Sequence, residues 1–349
     1  SPLTFASKLP GFLRWSTWQI LAFQKIEKDI ILHYHDLDTL IGGVFTSKLS
    51  ELPLVYDCHE NYPGLVKGAI SSRGANILHK IEAYLLKYCA GIMAAGPAGY
   101  IRLNDMLNIG SSAPFNANDE DAFKVLSKPQ SEFLNSRITR VGNAKRLDAY
   151  PLSRIQKRKR NKKFRILYIG VLEKHPSRGI LETAITVNKM KDVQFDIGGF
   201  GTLVPTIKKV CEKMENVNYI GSIHPDNVPL QTIESDAVLM ALDPKNDNNR
   251  MSAPNKLFEA MSAGVPIITC KELLMGQFVE NEEIGLTFEW GKWDRLKAAI
   301  MKLIYDKELQ AKMGRRGRKL AEKTHNWEKC EERIESLYRY VKLNSISPA

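Results

Sequence analysis

Between residues 164 and 288, short apolar runs at 164–170, 193–198, 217–221, 236–241, 265–269 and 284–288 alternate with helix-period stretches near 179–190, 202–214, 226–234 and 254–263. A helix between successive strands leaves no room for hairpins, so the strands must lie parallel with helices covering both faces of their sheet. The pattern predicts a doubly wound α/β unit. A looser version runs earlier, with strand-like runs at 29–33, 52–57 and 91–95, helical patterns near 39–49 and 74–88, and a last strand at 138–141. Residues 104–150 otherwise show no clear period, and the acidic stretch at 116–121 reads as a loop or a helix start. At 349 residues the chain is long enough for two domains, each with its own core.

The stretch SAPNKLFEAMSAGVP at 252–266 carries the clearest chemistry. Pro254 is tolerated in a first helical turn, Leu257, Phe258 and Met261 form a buried stripe, and Gly264 with Pro266 ends the helix. A turn opened by Ser252 and Asn255 directs backbone N–H groups and the positive end of the helix dipole outward, and Lys256 adds a full charge beside them. Glu259, one turn further in, is placed to accept hydrogen bonds from hydroxyls. Phosphate plus vicinal hydroxyls describes a nucleotide ribose. An ordinary capped helix, with Glu259 in a salt bridge to a neighbour, fits the same spacing.

The run from Pro254 to Glu259, followed by AMSAGVPII, resembles the donor-site signature of retaining glycosyltransferases of family 4, the glycosyl transferases group 1, which have the GT-B fold. RILYIG at 165–170, DIGGFG at 196–201, YIG at 219–221 and SDAVL at 235–239 follow in that family's order, so the resemblance covers 164–290 continuously and 28–100 more weakly. It implies two Rossmann-like doubly wound domains facing a central cleft. On that frame the chain reads as an acceptor-side domain over 1–150, a basic linker over 151–163, a nucleotide-sugar-binding domain over 164–326, and a helix over 327–349 crossing back to the first domain. Relatives open with a strand and a glycine-rich loop, whereas the first strand here looks like a later one. The first N-terminal units are therefore expected to be missing.

The loop from Gly170 to Gly179 follows a strand and opens a helix, at the carboxyl edge of the sheet where phosphates bind. The resemblance implies an arginine just after the first glycine and a lysine before the last; Val171 and Arg178 stand there. Arg178 still offers a bidentate clamp for a diphosphate, and Lys174 a second cation. Gly199 and Gly201 suit a tight strand-to-helix turn bordering the nucleotide. Ile223 sits where relatives contact the base edge, and backbone amides around Ala253, Pro254 and Asn255 face the donor. The family's second glutamate, eight residues before Glu259, is Met251 here, so sugar identity does not carry over. In the first domain, HYHDLD at 33–38 and YDCHEN at 56–61 follow strands; His59 matches a histidine that relatives keep near the reacting anomeric centre, with His35 and Asp36 as weaker candidates. Closure of the domains would bring His59 over the sugar and exclude water.

No metal is expected. Asp36-Leu-Asp38 is superficially similar to the metal-binding Asp-x-Asp of the other glycosyltransferase fold, which the two-domain pattern argues against, and Pro63 stands where a zincin that begins His59-Glu60 needs its second histidine. Five widely spaced cysteines suggest free thiols in a reducing compartment. No apolar run approaches ~20 residues and no secretory signal is visible, so a cytoplasmic location is expected. The net charge of +11 is partly concentrated at 154–165, which holds no acidic residue. That segment reads as a solvated linker or as a contact for an anionic membrane surface at the inner face; nucleic acid ranks last, because no recognition motif accompanies the charge. Residues 8–23, with Phe12, Trp15 and Trp18 among Lys8 and Arg14, suit either a membrane interface or a helix packed on its own sheet.

The reading is a retaining hexosyltransferase taking sugar from a nucleoside diphosphate sugar to a hydroxyl acceptor, in surface polysaccharide or lipid-linked glycan assembly. Arg178, Lys174 and the helix start at 252–256 neutralise the diphosphate, and Glu259 holds the ribose. Val171, Met251 and the missing units motivate a rival, a catalytically impaired scaffold. A nucleotide-sugar epimerase on the same fold is the other rival; it would need more carboxylates around the sugar.

Overall fold

The computed structural model describes residues 30–59, 71–109, 125, 130–158, 162–174 and 177–345. The expected interfacial segment over 8–23, the acidic stretch at 116–121 and the expected absence of opening units fall outside them. The chain divides into two compact units, residues 1–142 with 330–349, and residues 143–329.

In the first unit, β1 (Leu32–His35), β2 (Leu54–Cys58), β3 (Gly91–Ala94) and β4 (Ile138–Arg140) form a parallel sheet in that order. Between them run α1 (Asp36–Ser50), α2 (Ser72–Leu85) and α3 (Pro97–Ile109). The alternation is legible because β2 and β3 are buried at every position, the signature of strands covered on both faces. The helix Trp327–Ser345 supplies Leu337 and Val341, which pack on Val55 and Met93 from the sheet.

One buried ion pair ties this unit together. Arg102 on α3 forks onto Glu82 on α2 through both terminal nitrogens, Nη2 lying 3.0 Å from Oε1, and the Tyr56 hydroxyl of β2 donates to that same oxygen at 3.0 Å. The arginine side chain is 2% exposed and the carboxylate 0%. Two charges out of water are tolerable only when each satisfies the other, so the pair fixes α2 and α3 against β2.

The second unit holds α4 (Leu152–Gln156), β5 (Phe164–Val171), α5 (Ile180–Asn188), β6 (Val193–Phe200), α6 (Val204–Cys211), β7 (Val217–Tyr219), α7 (Val228–Ile233), β8 (Ala237–Met240), α8 (Asp247–Met251), α9 (Asn255–Ala263), β9 (Ile267–Cys270), α10 (Leu274–Asn281), β10 (Gly285–Phe288), α11 (Trp293–Tyr305) and α12 (Lys307–Lys323). Its six parallel strands run β10-β9-β8-β5-β6-β7, the doubly wound order with chain reversal between β5 and β8. Ligands of such sheets bind beyond the carboxyl ends of the strands at that reversal. The core runs from Phe164, Ile166 and Phe195 to Ile268, Leu296 and Leu303.

Three details differ from the sequence reading. Residues 143–150, assigned there to the first domain, are held in the second unit: Asn143 Nδ2 donates to the Ala253 carbonyl at 2.9 Å, and Arg318 Nη1 donates to the Tyr150 carbonyl at 2.7 Å. Pro254 is the residue before the helix, with φ −67° and ψ 148°, so Asn255 takes the first helical position. Helix α10 was not anticipated. The basic linker is partly helical as α4, and its Arg158 donates to the Ser235 carbonyl at 3.0 Å; just beyond it, Arg165 on β5 pairs with Asp196 at 2.6 Å. Arg154, Lys157, Lys162 and Lys163 remain on the wall of a cleft of about 1110 Å³. The five cysteines are free thiols, and among the described residues no helix is long and apolar enough to cross a membrane.

Replacing Arg102 by Leu strands the Glu82 carboxylate in the core and is expected to cost about 3–5 kcal/mol, read by urea unfolding; a loss near zero would remove this pair from the account.

Candidate functional site

The reversal point of the second sheet is where charge gathers. Helix α9 starts there because Leu257, Phe258 and Met261, none more than 2% exposed, anchor one face in the core, and Gly264 ends the helix at φ +65°. That anchoring carries Lys256 inward. Its ammonium lies 4.4 Å from the centroid of the Tyr168 ring on β5, a cation–π contact. Gly170 makes room for it: a Cβ on that residue would stand 2.6 Å from the Lys256 Nζ. Burial pushes the Lys256 ammonium from 10.5 down to about 8; Glu259 opposes the shift and Arg178 adds to it. The two cations are therefore close enough to repel. The Arg178 Nε is buried and has no hydrogen-bond partner among the described residues. Two half-buried cations at one sheet edge, with a buried donor left over, have the charge and the spare N–H that an anion with more than one negative charge could use.

Gly199 and Gly201 close the neighbouring turn. Gly199 has φ +138°, and its Cβ would fall 1.8 Å from the Gly170 carbonyl oxygen; Gly201, at φ +144°, would place a Cβ 2.4 Å from the Leu172 carbonyl oxygen. No side chain fits at either position, so these glycines let the β5 and β6 ends approach each other. Ile223 is half-buried over Gly198, where a Cβ would meet it at 2.9 Å. Lys174 is exposed on the loop after β5, and Glu173 beside it accepts a hydrogen bond from the Thr202 amide at 3.2 Å.

The other side of α9 is less open than the sequence suggests. Ser252 donates its hydroxyl to the Asn249 carbonyl at 3.0 Å, and Ala253 is buried. Lys145 reaches Glu259 Oε1 at 3.4 Å and donates to Asn255 Oδ1 at 2.5 Å. Glu259 thus has a salt-bridge partner, as the plainer sequence reading allowed. Its carboxylate is 16% exposed and keeps a second oxygen. Sequence reasoning missed Lys145, Asn143 and Tyr168. Lys145 and Asn143 follow β4 in a stretch without period, where the one available signal was a Gly-Asn turn followed by a cation; Tyr168 read simply as a strand residue.

His59 lies in the first unit, at the end of β2. Its backbone N–H donates to Asp36 Oδ1 at 2.9 Å, and its Nε2 lies 3.0 Å from Asp57 Oδ2. Burial works to raise the Asp57 carboxyl, but the His33 and His59 imidazoles at its oxygen outweigh burial and hold it well below the usual carboxylate range.

The family model described as Glycosyl transferases group 1 matches residues 151–320. The GDP-mannose-dependent alpha-(1-6)-phosphatidylinositol monomannoside mannosyltransferase of Mycobacterium tuberculosis is 23% identical over 147 residues, 41% of this chain and 38% of that relative, so the match spans well under half of the relative's length. Among solved structures, sucrose-phosphate synthase of Thermosynechococcus elongatus superposes with a TM-score of 0.70 at 17% identity, covering 99% of this chain and 82% of that one. HepE of Anabaena, solved in complex with UDP, gives 0.64 at 15% identity, covering 95% and 82%. At such identities the structures speak for the fold. The chain consists of two parallel-sheet α/β domains with GT-B structural neighbours, and the Glycosyl transferases group 1 match falls on the second.

Proposed function

We propose that the protein is a retaining glycosyltransferase of family 4 that moves a hexose from a nucleoside diphosphate sugar to a hydroxyl acceptor. The observation that carries this reading is the pair of half-buried cations, Lys256 and Arg178, at the reversal point of the second sheet. A diphosphate brings the negative charge that such a pair needs. When the sugar leaves, charge builds on the diphosphate oxygens; cations already in place stabilise it without reorganising. Lys174 adds a third cation from the rim. Gly170, Gly199 and Gly201 leave the backbone open to the nucleotide, with Ile223 beside the base. Ala253, Pro254 and Asn255 form the helix start facing the diphosphate. Glu259 takes the ribose hydroxyls, exchanging its Lys145 contact for them. His59 works at the donor sugar, orienting it or stabilising positive charge rather than attacking. The cations do the work a divalent metal would do at the diphosphate, so transfer proceeds without one.

The mannosyltransferase relative is named for a lipid acceptor. That name and the exposed lysines at 157, 162 and 163 support a glycan or lipid-linked acceptor, with the protein in the cytoplasm at an anionic membrane face. A catalytically inert scaffold has no use for a buried ammonium that costs stability, and no observation among the described residues favours epimerase chemistry.

Thermal unfolding with UDP, GDP and ADP and their sugar conjugates, without metal, tests the donor site. One nucleotide series should raise the melting temperature by several degrees at ~100 times its dissociation constant, and Glu259→Ala should abolish most of that shift; no shift with any nucleotide would overturn the reading. Lys256 must be protonated to hold a diphosphate, so nucleotide affinity should fall by up to about tenfold per pH unit above about 8, and Lys256→Arg should flatten that profile.

The same group makes a stability prediction. Its pKa is lower folded than unfolded, so the unfolded chain holds the extra proton between about 8 and 10.5 and stability rises with pH across that window. Lys256→Met should therefore unfold at higher urea than the wild type near pH 7, by up to about 3 kcal/mol, with the gap closing toward alkaline pH. A destabilised Met variant would contradict the burial penalty.

A further inference from the structure

The carboxyl edge of the first sheet holds a second cluster. β1 ends in His33-Tyr34-His35, and period 2 puts both histidines on one face of the strand. The parallel register sets His35 beside Asp57 of β2. Asp57 Oδ2 lies 3.4 Å from His33 Nε2, 3.1 Å from His35 Nδ1 and 3.0 Å from His59 Nε2. The donor atoms of His33, His35 and Asp57 all fall within 4.8 Å of one another.

We propose that His33, His35 and Asp57 bind a divalent transition-metal ion of the zinc class, with a fourth position open toward His59. A metal–ligand bond of about 2.0–2.1 Å in a tetrahedron sets neighbouring ligand atoms about 3.3 Å apart, close to the spacings found around Asp57 Oδ2. Two imidazoles and a carboxylate select zinc or its first-row neighbours over magnesium or calcium, which prefer oxygen alone. The surroundings suit ligation. His33 Nε2 is buried and faces Asp57 Oδ2 at 3.4 Å, and its other nitrogen, Nδ1, lies 2.5 Å from the Tyr338 hydroxyl. A ligating histidine needs that arrangement: one nitrogen free for the ion, and the opposite N–H donated to an oxygen that fixes the ring. The turn after β2 is held by Asp36, which accepts the His59 N–H. The sequence reading missed the site because its residues read as two separate strand ends, and only the register joins them.

The test uses metal-free full-length protein titrated with Zn²⁺ alone and with Co²⁺ alone. One equivalent should bind per chain, the Co²⁺ form should show the visible absorption of a tetrahedral site without a thiolate charge-transfer band, and saturating Zn²⁺ should raise the melting temperature. His35→Asn should weaken binding at least tenfold and remove the melting shift; its side chain is 61% exposed, so the fold should persist. Asp57→Asn should do the same, while Cys58→Ser should bind as the wild type does. Absence of saturable binding, a thiolate band, or binding unchanged in His35→Asn and Asp57→Asn would each overturn the site. All its ligands belong to the first unit, so failure of nucleotide binding would leave this result standing, and the reverse also holds.

Discussion

The charged edge of the second sheet is set by where one lysine is held. Burying the Lys256 ammonium is unfavourable and lowers its pKa toward about 8, while the Tyr168 ring it faces attracts the cation. Three features hold it there. The apolar face of α9, through Leu257, Phe258 and Met261, fixes the backbone; Gly170 leaves the space the ammonium occupies; and Glu259 favours the charged form. Arg178 works against it, so the two cations repel each other at this edge. Strain kept at a site and compensated by the surrounding core is the usual form of a preorganised binding edge.

That arrangement also accounts for local features that look incidental in isolation. The ends of β5 and β6 close to within backbone contact because Gly199 carries no Cβ, so the turn after β6 borders the reversal point beside Gly170. Lys145, from the segment after β4, bridges Glu259 and Asn255. In the first unit the stabilising element is of the opposite kind: Glu82 and Arg102 neutralise each other in the core, and the histidines gather at the sheet edge.

The fold was legible wherever burial repeated with a period. The strands over 164–288 coincide with the apolar runs to within a few residues, because β8 and β9 are buried at every position and β6 at all but two. Helix α10 was not legible: Leu274–Asn281 carries Gly276 in its first turn and follows a strand with almost no turn signal. The site split along the same line. Lys256, Glu259, Gly170 and Arg178 lie in motifs that declare themselves locally. Lys145 and Asn143 act on α9 from 110 residues away, and the register that brings His35 to Asp57 is a property of strand pairing that a single sequence does not print.

The most direct measurement is the titration of the Lys256 amine itself, by NMR of ¹³C-methylated lysines assigned with a Lys256→Arg variant, with and without the nucleoside diphosphate that binds. The account requires one lysine titrating near 8 in the free protein and moving upward by at least one unit when the diphosphate is bound, since a bound polyanion favours the protonated amine. A Lys256 that titrates like a surface lysine, or that ignores the ligand, would contradict the claim that this buried charge is the donor site's anchor.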